Sequence, residues 1–130
     1  MSNLSSARAM PIVPYTDGEK AKDFYGNKLG LELMMEDPNG GLIYTAGNGT
    51  AIGVYLRPDG NKAEHTQVAF EVDDIDATVA TLTENGVVFE QYDMEGLKTD
   101  AAGIVDMGMN RGAFFKDPEG NILSVIQLKG

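Results

Sequence analysis

Three residues that could take part in metal binding or acid–base chemistry lie within one short stretch of this chain. His65, Gln67 and Glu71 are separated by even intervals in the segment HTQVAFE. Even spacing places side chains on one face of a β-strand, so all three could face a common site. His65 is the only histidine of the chain and there is no cysteine. A metal site centred on His65 is therefore one hypothesis, and a solvated histidine at the strand entrance is the favoured alternative.

A single hydroxyl interrupts the most apolar strand of the chain, NILSVIQ at residues 121–127. The two-residue period of a strand predicts that Leu123 and Val125 pack under a helix while Ser124 faces a cleft. On the strand of residues 67–72 the same rule places Phe70 and Val72 under a second helix. The residues expected to face the cleft from that strand are Gln67, Ala69 and Glu71.

The elements that would position these residues form two similar halves, each with a strand, a helix and three further strands. Helix starts of the capping-box type and stop glycines support the helices. The predicted strands of the first half are residues 10–15, 31–36, 41–46 and 50–56, around a helix at 16–30. Those of the second half are residues 67–72, 87–92, 112–116 and 121–127, around a helix at 73–86.

The two halves indicate an internal duplication. Aligning Asp17 with Asp74 matches the first strands at an offset of 57, whereas the stop glycines Gly30 and Gly86 match at 56. The first helical segment must therefore contain one residue more than the second. The expected caps are Thr16 with Glu19 and Asp73 with Asp76.

Turns and loops agree with this division. DPNGG at residues 37–41 and DPEGN at 117–121 have the proline and glycine positions of short turns between antiparallel strands. The segment 93–112 is rich in Gly and Met and has no clear period. It predicts a binding loop or lid, with a further short strand at GIVDMG as an equal alternative.

Composition excludes several classes of function. A net charge of −10 disfavours nucleic acid as a partner. There is no long apolar run and no leader-like start, so we expect neither a membrane span nor a signal peptide. The absence of cysteine fits a reducing compartment, and we expect a cytoplasmic protein.

Two motifs carry a resemblance to a known family. DFYGNKLGLEL and FFKDPEGNILSVIQ, with acidic helix starts at VPYTD and VDD, resemble the vicinal oxygen chelate superfamily of glyoxalase I, extradiol dioxygenases and bleomycin-resistance proteins. The resemblance implies an α+β fold in which two βαβββ modules form a curled mixed sheet around a cleft. It implies a single domain over residues 1–130, with modules at 8–57 and 65–129.

The resemblance also implies where a metal would be held. Enzymes of that superfamily bind one divalent ion through His, Gln or Glu at four strand positions, which here correspond to Met10, Gly53, Gln67 and Ser124. A thioether, a glycine and a hydroxyl are poor ligands for such an ion. We therefore expect no metal and no other cofactor.

The function expected from the resemblance is binding of a small organic molecule in the cleft, by a homodimer. The residues expected to line the site are Gln67, Ser124, Met10, Tyr55, Glu71 and Tyr44. A glyoxalase-like lyase or dioxygenase with displaced ligands remains an alternative. So does a metal-free isomerase that uses Glu71, Gln67 and a tyrosine.

Overall fold

Two four-stranded mixed sheets and two helical segments make up the fold of this chain. The computed structural model describes residues 4–6, 8–95 and 97–128. The strands are β1 Ile12–Tyr15, β2 Glu32–Glu36, β3 Leu42–Thr45, β4 Ala51–Leu56, β5 Thr66–Glu71, β6 Asp93–Met94, β7 Leu97–Lys98, β8 Val105–Asp106, β9 Asn110–Lys116 and β10 Ile122–Leu128. The helices are α1 Gly18–Lys22, continued by a π-helical turn at Asp23–Lys28, and α2 Ile75–Glu84, with short 3-10 turns at Leu4–Ser6 and Gly47–Gly49.

Each sheet repeats the same order of strands, which confirms the predicted α+β class. The first sheet runs β1-β4-β3-β2 and the second β5-β10-β9-β8. In each sheet the strand before the helix pairs in parallel with the last strand of its module, and the remaining pairs are antiparallel. A small β6–β7 ribbon lies outside both sheets.

The helix starts lie one residue later than predicted, because the side chains that cap them are those of Asp17 and Asp74. Asp17 accepts hydrogen bonds from the backbone N–H groups of Glu19 and Lys20, and Asp74 accepts one from Ala77. The predicted caps at Thr16 and Asp73 are therefore wrong. An aspartate with extended backbone satisfies the free N–H groups of a first turn in both helices.

The π-helical turn explains the one-residue offset between the two halves. A π-helical turn holds one residue more than an α-helical turn, and of the two described helices only the first contains one. The predicted stops are confirmed, since Gly30 and Gly86 both have positive φ, 75° and 99°. The duplication is thus preserved in backbone geometry as well as in sequence.

The strand predicted at residues 87–92 is wrong, and the alternative of a short strand in GIVDMG is confirmed. Within residues 87–92, only Phe89 forms an isolated bridge, to Phe115. The edge of the second sheet is instead β8, which lies inside the GIVDMG segment. The apolar side chains of Val87 and Phe89 are buried as expected of a strand, but they pack without a continuous ladder. Apolar alternation alone did not distinguish these two cases.

The two modules share one hydrophobic core, and the π-helical turn after α1 packs against both sheets. The Tyr25 ring lies 5.8 Å from Tyr44 of the first sheet, and the Phe24 ring lies 6.1 Å from Phe115 of the second. Phe24 and Tyr25 thus join the two modules. No helix in the described part of the chain has the length and hydrophobicity that a bilayer crossing requires.

The DPEGN turn fastens the second module to the first. The Asp117 carboxylate accepts hydrogen bonds from the Tyr25 hydroxyl at 2.6 Å and from the Asn121 amide at 2.7 Å. The Asn121 amide also donates to Pro14 O at 2.8 Å. Burial, followed by the Asp117 charge, raises the pKa of the Tyr25 phenol, so the phenol keeps its proton for donation. We call Tyr25, Asp117 and Asn121 the module latch.

The same turn also reaches the start of α1. One oxygen of Glu119 accepts from the hydroxyl and, at 2.6 Å, from the backbone N–H of Thr16. Slight burial would raise the pKa of the Glu119 carboxyl, but the hydrogen bonds from Thr16 outweigh that effect and hold the pKa below its ordinary value. Thr16 thus binds the second module instead of capping its own helix.

Candidate functional site

The face of the second sheet that points away from the shared core is the candidate site. Leu123 and Val125 are 0% and 2% exposed and belong to the core, as the two-residue period predicts. Phe70 and Val72 also pack against the core. The opposite face, which we call the second open face, carries Gln67, Ala69 and Glu71 of β5, Gly112 and Phe114 of β9, and Ile122, Ser124 and Ile126 of β10.

Ser124 lies at the centre of this face. In the ladder it is opposite Ala69 on one side and Phe114 on the other. It is only 2% exposed, yet among the described residues none forms a side-chain hydrogen bond with its hydroxyl. The hydroxyl oxygen is not fully enclosed, so a polar group bound on this face could reach it and form a hydrogen bond.

The segment after α2 covers part of the second open face. The Tyr92 ring packs edge-on against Phe114 at 6.0 Å. A Cβ atom built at Gly112 would lie 2.7 Å from the Met107 methyl group and 3.6 Å from Ile126, so Met107 lies directly over this glycine. The face is therefore an apolar, partly covered surface with few polar groups, as small-molecule sites commonly are.

Gln67 occupies a β-bulge. Ile122 pairs with Thr66 and Leu123 with Val68, which leaves Gln67 without an opposite residue. The Gln67 side-chain oxygen accepts a hydrogen bond of 3.3 Å from Ile122 N. The bulge thus bends β5 beside Ser124, and the side chain supports the backbone there while its NH₂ group stays available.

The first sheet carries an equivalent face. Gly53 lies between Ile12 and Ile43 in the ladder, just as Ser124 lies between Ala69 and Phe114. This register supports the alignment of Gly53 with Ser124 that the resemblance implied. A Cβ atom at Gly53 would lie 3.5 Å from the Met10 methyl group, so Met10 covers the glycine. We call Met10, Ile12, Met35, Ile43, Gly53 and Tyr55 the first open face.

The remaining site candidates are distributed differently from expectation. Tyr44 is 1% exposed and lies on the core side of its sheet against Tyr25, whereas Tyr55 is 40% exposed on the first open face. His65 is exposed in a bend before β5. Glu71 is exposed and borders a cavity of about 670 Å³ between the ends of the two modules.

The donor set at the four ligand positions does not fit a divalent metal. Met10 and Gly53 belong to one sheet, and Gln67 and Ser124 to the other. The oxygen of Gln67 is already engaged by the backbone. Within residues 4–6, 8–95 and 97–128, no three His, Asp or Glu side chains lie close enough to hold a metal ion. Hard and borderline divalent ions need several such donors, so no catalytic step through a metal follows from these residues.

Sequence reasoning missed two aromatic residues of the site. Phe114 stands beside Ser124, and Tyr92 covers Phe114. The alternation of strand residues could have identified Phe114. Phe115 is a core residue, and adjacent residues of a strand face opposite sides of the sheet. Tyr92 belongs to a segment without a regular ladder, where no local period applies.

The fold and the sequence together place the chain in a family. Residues 8–125 match the family model described as the Glyoxalase/Bleomycin resistance protein/Dioxygenase superfamily, and the chain belongs to that superfamily. No curated protein sequence matches the chain significantly.

Solved structures of similar proteins cover almost the whole chain. TnmS3, an antibiotic binding protein from Streptomyces sp. CB03234, is 28% identical with a TM-score of 0.76, over 98% of this chain and 100% of TnmS3. A glyoxalase/bleomycin resistance protein from the same organism is 29% identical with a TM-score of 0.69, over 92% and 98%. A superfamily member from Sphaerobacter thermophilus DSM 20745 is 27% identical with a TM-score of 0.72, over 96% and 99%.

Proposed function

We propose that this protein binds a small organic molecule on the second open face and performs no metal chemistry there. The observation that carries the proposal is the Ser124 hydroxyl, which lies between Ala69 and Phe114 on an apolar face without a described protein partner. One hydroxyl on an apolar floor would orient a ligand whose remaining surface is apolar. That TnmS3 is named an antibiotic binding protein supports the same class of function.

The ligand that suits this face is largely apolar and carries a planar or aromatic part. Phe114 and Tyr92 offer ring surfaces, and Met107 offers an adaptable side chain above them. Gln67, through its free NH₂ group, and Glu71 at the rim would bind polar groups of the ligand. Nothing in this arrangement favours nucleic acid or a membrane as partner, and the cysteine-free chain is proposed to work in the cytoplasm.

A thermal-shift screen of aromatic and polycyclic compounds tests the proposal. A ligand that binds only the folded state at a free concentration c stabilises it by RT ln(1 + c/Kd), so the melting temperature rises with ligand concentration. The readout that identifies the site is a chemical-shift change at the Ile122 and Ile126 methyl groups. If all ligands found instead act at residues outside the second open face, the proposal fails.

The first prediction is that the purified protein contains no stoichiometric metal. Its physical reason is the poor donor set of Met10, Gly53, Gln67 and Ser124. Elemental analysis after purification without chelator measures it. One Zn, Mn, Fe or Ni ion per chain that survives dialysis would contradict the prediction and favour a displaced site near His65.

The second prediction is a homodimer that covers the first open face. Ile12, Met35 and Tyr55 are 57%, 55% and 40% exposed on this face. A continuous apolar surface of this kind is uncommon on a monomer, and a second copy is the proposed cover. Light scattering during size-exclusion chromatography at micromolar concentration should give twice the chain mass.

A substitution tests which surface forms the dimer. Ile12→Glu should produce a monomer, because it places an unpaired charge in the interface. The matched control is Val88→Glu, since Val88 is 77% exposed and lies outside the first open face. A monomeric parent protein, or a dimer that both variants leave intact, would show that the first open face is not the interface.

A further inference from the structure

A second cavity lies on the core side of the second sheet, where the two modules meet. Its volume is about 170 Å³. Leu29 and Leu31, from the segment after α1, form one wall. The other walls come from the second module: Phe70, Val72, Thr78, Leu82, Phe115 and Val125.

The walls of this cavity have almost no group that can form a hydrogen bond with a water molecule. Thr78 is the only lining residue with a polar side chain, and its hydroxyl donates a hydrogen bond of 2.9 Å to Asp74 O inside α2. The cavity is half open to solvent, and water inside it finds almost no polar partner in the walls, so an apolar guest can displace that water. An enclosed cavity of about 150 Å³ with aliphatic and aromatic walls accepts benzene or xenon, so the volume here suits a guest of that size.

The cavity is also accessible. Four of its lining residues, Leu29, Leu31, Phe70 and Val72, are only partly buried and pack at the border of the core. A guest can therefore enter without unfolding α2. An apolar guest would contact both walls and cover apolar side-chain surface that is now accessible.

We propose that this cavity is a second ligand site that takes a small, uncharged, apolar molecule of about the size of a single aromatic ring. The site is separate from the second open face, because Val125 and Phe115 point to the opposite side of the sheet from Ser124. The guest bridges the two modules, since Leu29 and Leu31 belong to one and the remaining walls to the other.

Toluene is a suitable probe, with methyl-labelled protein observed by NMR. Saturable shifts are expected for the methyl groups of Leu29, Leu31 and Val125, while those of Ile122 and Ile126 stay unchanged. At a toluene concentration ten times its Kd, the melting temperature should rise by roughly 4–6 °C. Benzylammonium, a charged analogue of the same size, should produce neither effect because the walls cannot solvate a charge.

A cavity-filling variant locates the site. Val72→Phe places a ring in the cavity and should abolish the toluene shifts, whereas Val88→Phe, the same change at an exposed position, should retain them. The proposal is overturned if toluene gives no saturable shift at Leu29, Leu31 and Val125. Shifts confined to Ile122 and Ile126 also overturn it and leave the proposed function standing. The wild-type titration decides the matter even if Val72→Phe does not fold.

Discussion

Asp117→Ala is expected to lower the free energy of unfolding by about 3–4 kcal/mol and the melting temperature by roughly 10–15 °C. Asp117 is 6% exposed and accepts four hydrogen bonds, from Tyr25 OH, the Asn121 amide, and the backbone N–H groups of Glu119 and Asn121. Removing the carboxylate leaves the Tyr25 hydroxyl and the Asn121 amide buried without this partner. Each such group costs about 1–3 kcal/mol. Urea unfolding followed by circular dichroism measures the change.

The first module contains a matched control for this substitution. Asp37 begins the DPNGG turn with the same three hydrogen bonds that Asp117 makes in DPEGN. The Asp37 N–H donates to the carbonyl of Gly41, and the Asp37 carbonyl accepts from the N–H of Gly40. The Asp37 carboxylate accepts from the N–H of Asn39. Asp37 is exposed and does not join the modules. Asp37→Ala should therefore cost only about 0.5–1 kcal/mol, the value of one local turn hydrogen bond.

The difference between the two variants measures the module latch. If Asp37→Ala and Asp117→Ala destabilise the protein equally, the effect belongs to the turn and the latch contributes nothing. Tyr25→Phe gives an independent check, because it removes one latch bond and keeps the ring contact with Tyr44. Its cost should lie between those of the two aspartate variants.

The sequence predicted those parts of the fold that a local period specifies. The face assignments of Leu123, Val125 and Ser124 follow from the two-residue repeat of a strand, and the structure confirms the burial of the first two. The stop glycines follow from the need for a positive φ. Both are properties of a few neighbouring residues, so neither requires knowledge of the tertiary structure.

The sequence could not predict features that depend on the other module. Phe24 and Tyr25 have the same local pattern whether they contact one sheet or two, and the partner Asp117 is 92 residues away from Tyr25. The bulge at Gln67 could not be predicted either, because an extra residue in one strand is recognised only from the pairing of that strand with its neighbour. The motif DPEGN, which carried the family resemblance, is explained here by its contacts between the modules.

Ala69→Phe is expected to weaken any ligand of the second open face at least about tenfold, or to abolish its binding. Ala69 is exposed and lies opposite Ser124 in the parallel ladder, so a phenyl ring there would cover the Ser124 hydroxyl. The loss of one hydrogen bond alone corresponds to only a few-fold change, and steric exclusion adds to it. Ala80→Phe is the control, since Ala80 is exposed on α2 outside the site. Isothermal titration with the ligand from the screen measures both variants.

The ranking of smaller changes then distinguishes a site centred on Ser124 from one centred on His65. Ser124→Val removes the hydroxyl and puts two methyl groups in place of one oxygen, so binding should weaken several-fold. Gln67→Ala should weaken binding to a similar degree, with a small loss of stability from the bond to Ile122 N. His65→Ala should leave the affinity unchanged, because His65 is exposed before the strand begins. If His65→Ala abolishes binding while Ser124→Val and Ala69→Phe are silent, the ligand does not lie on the second open face.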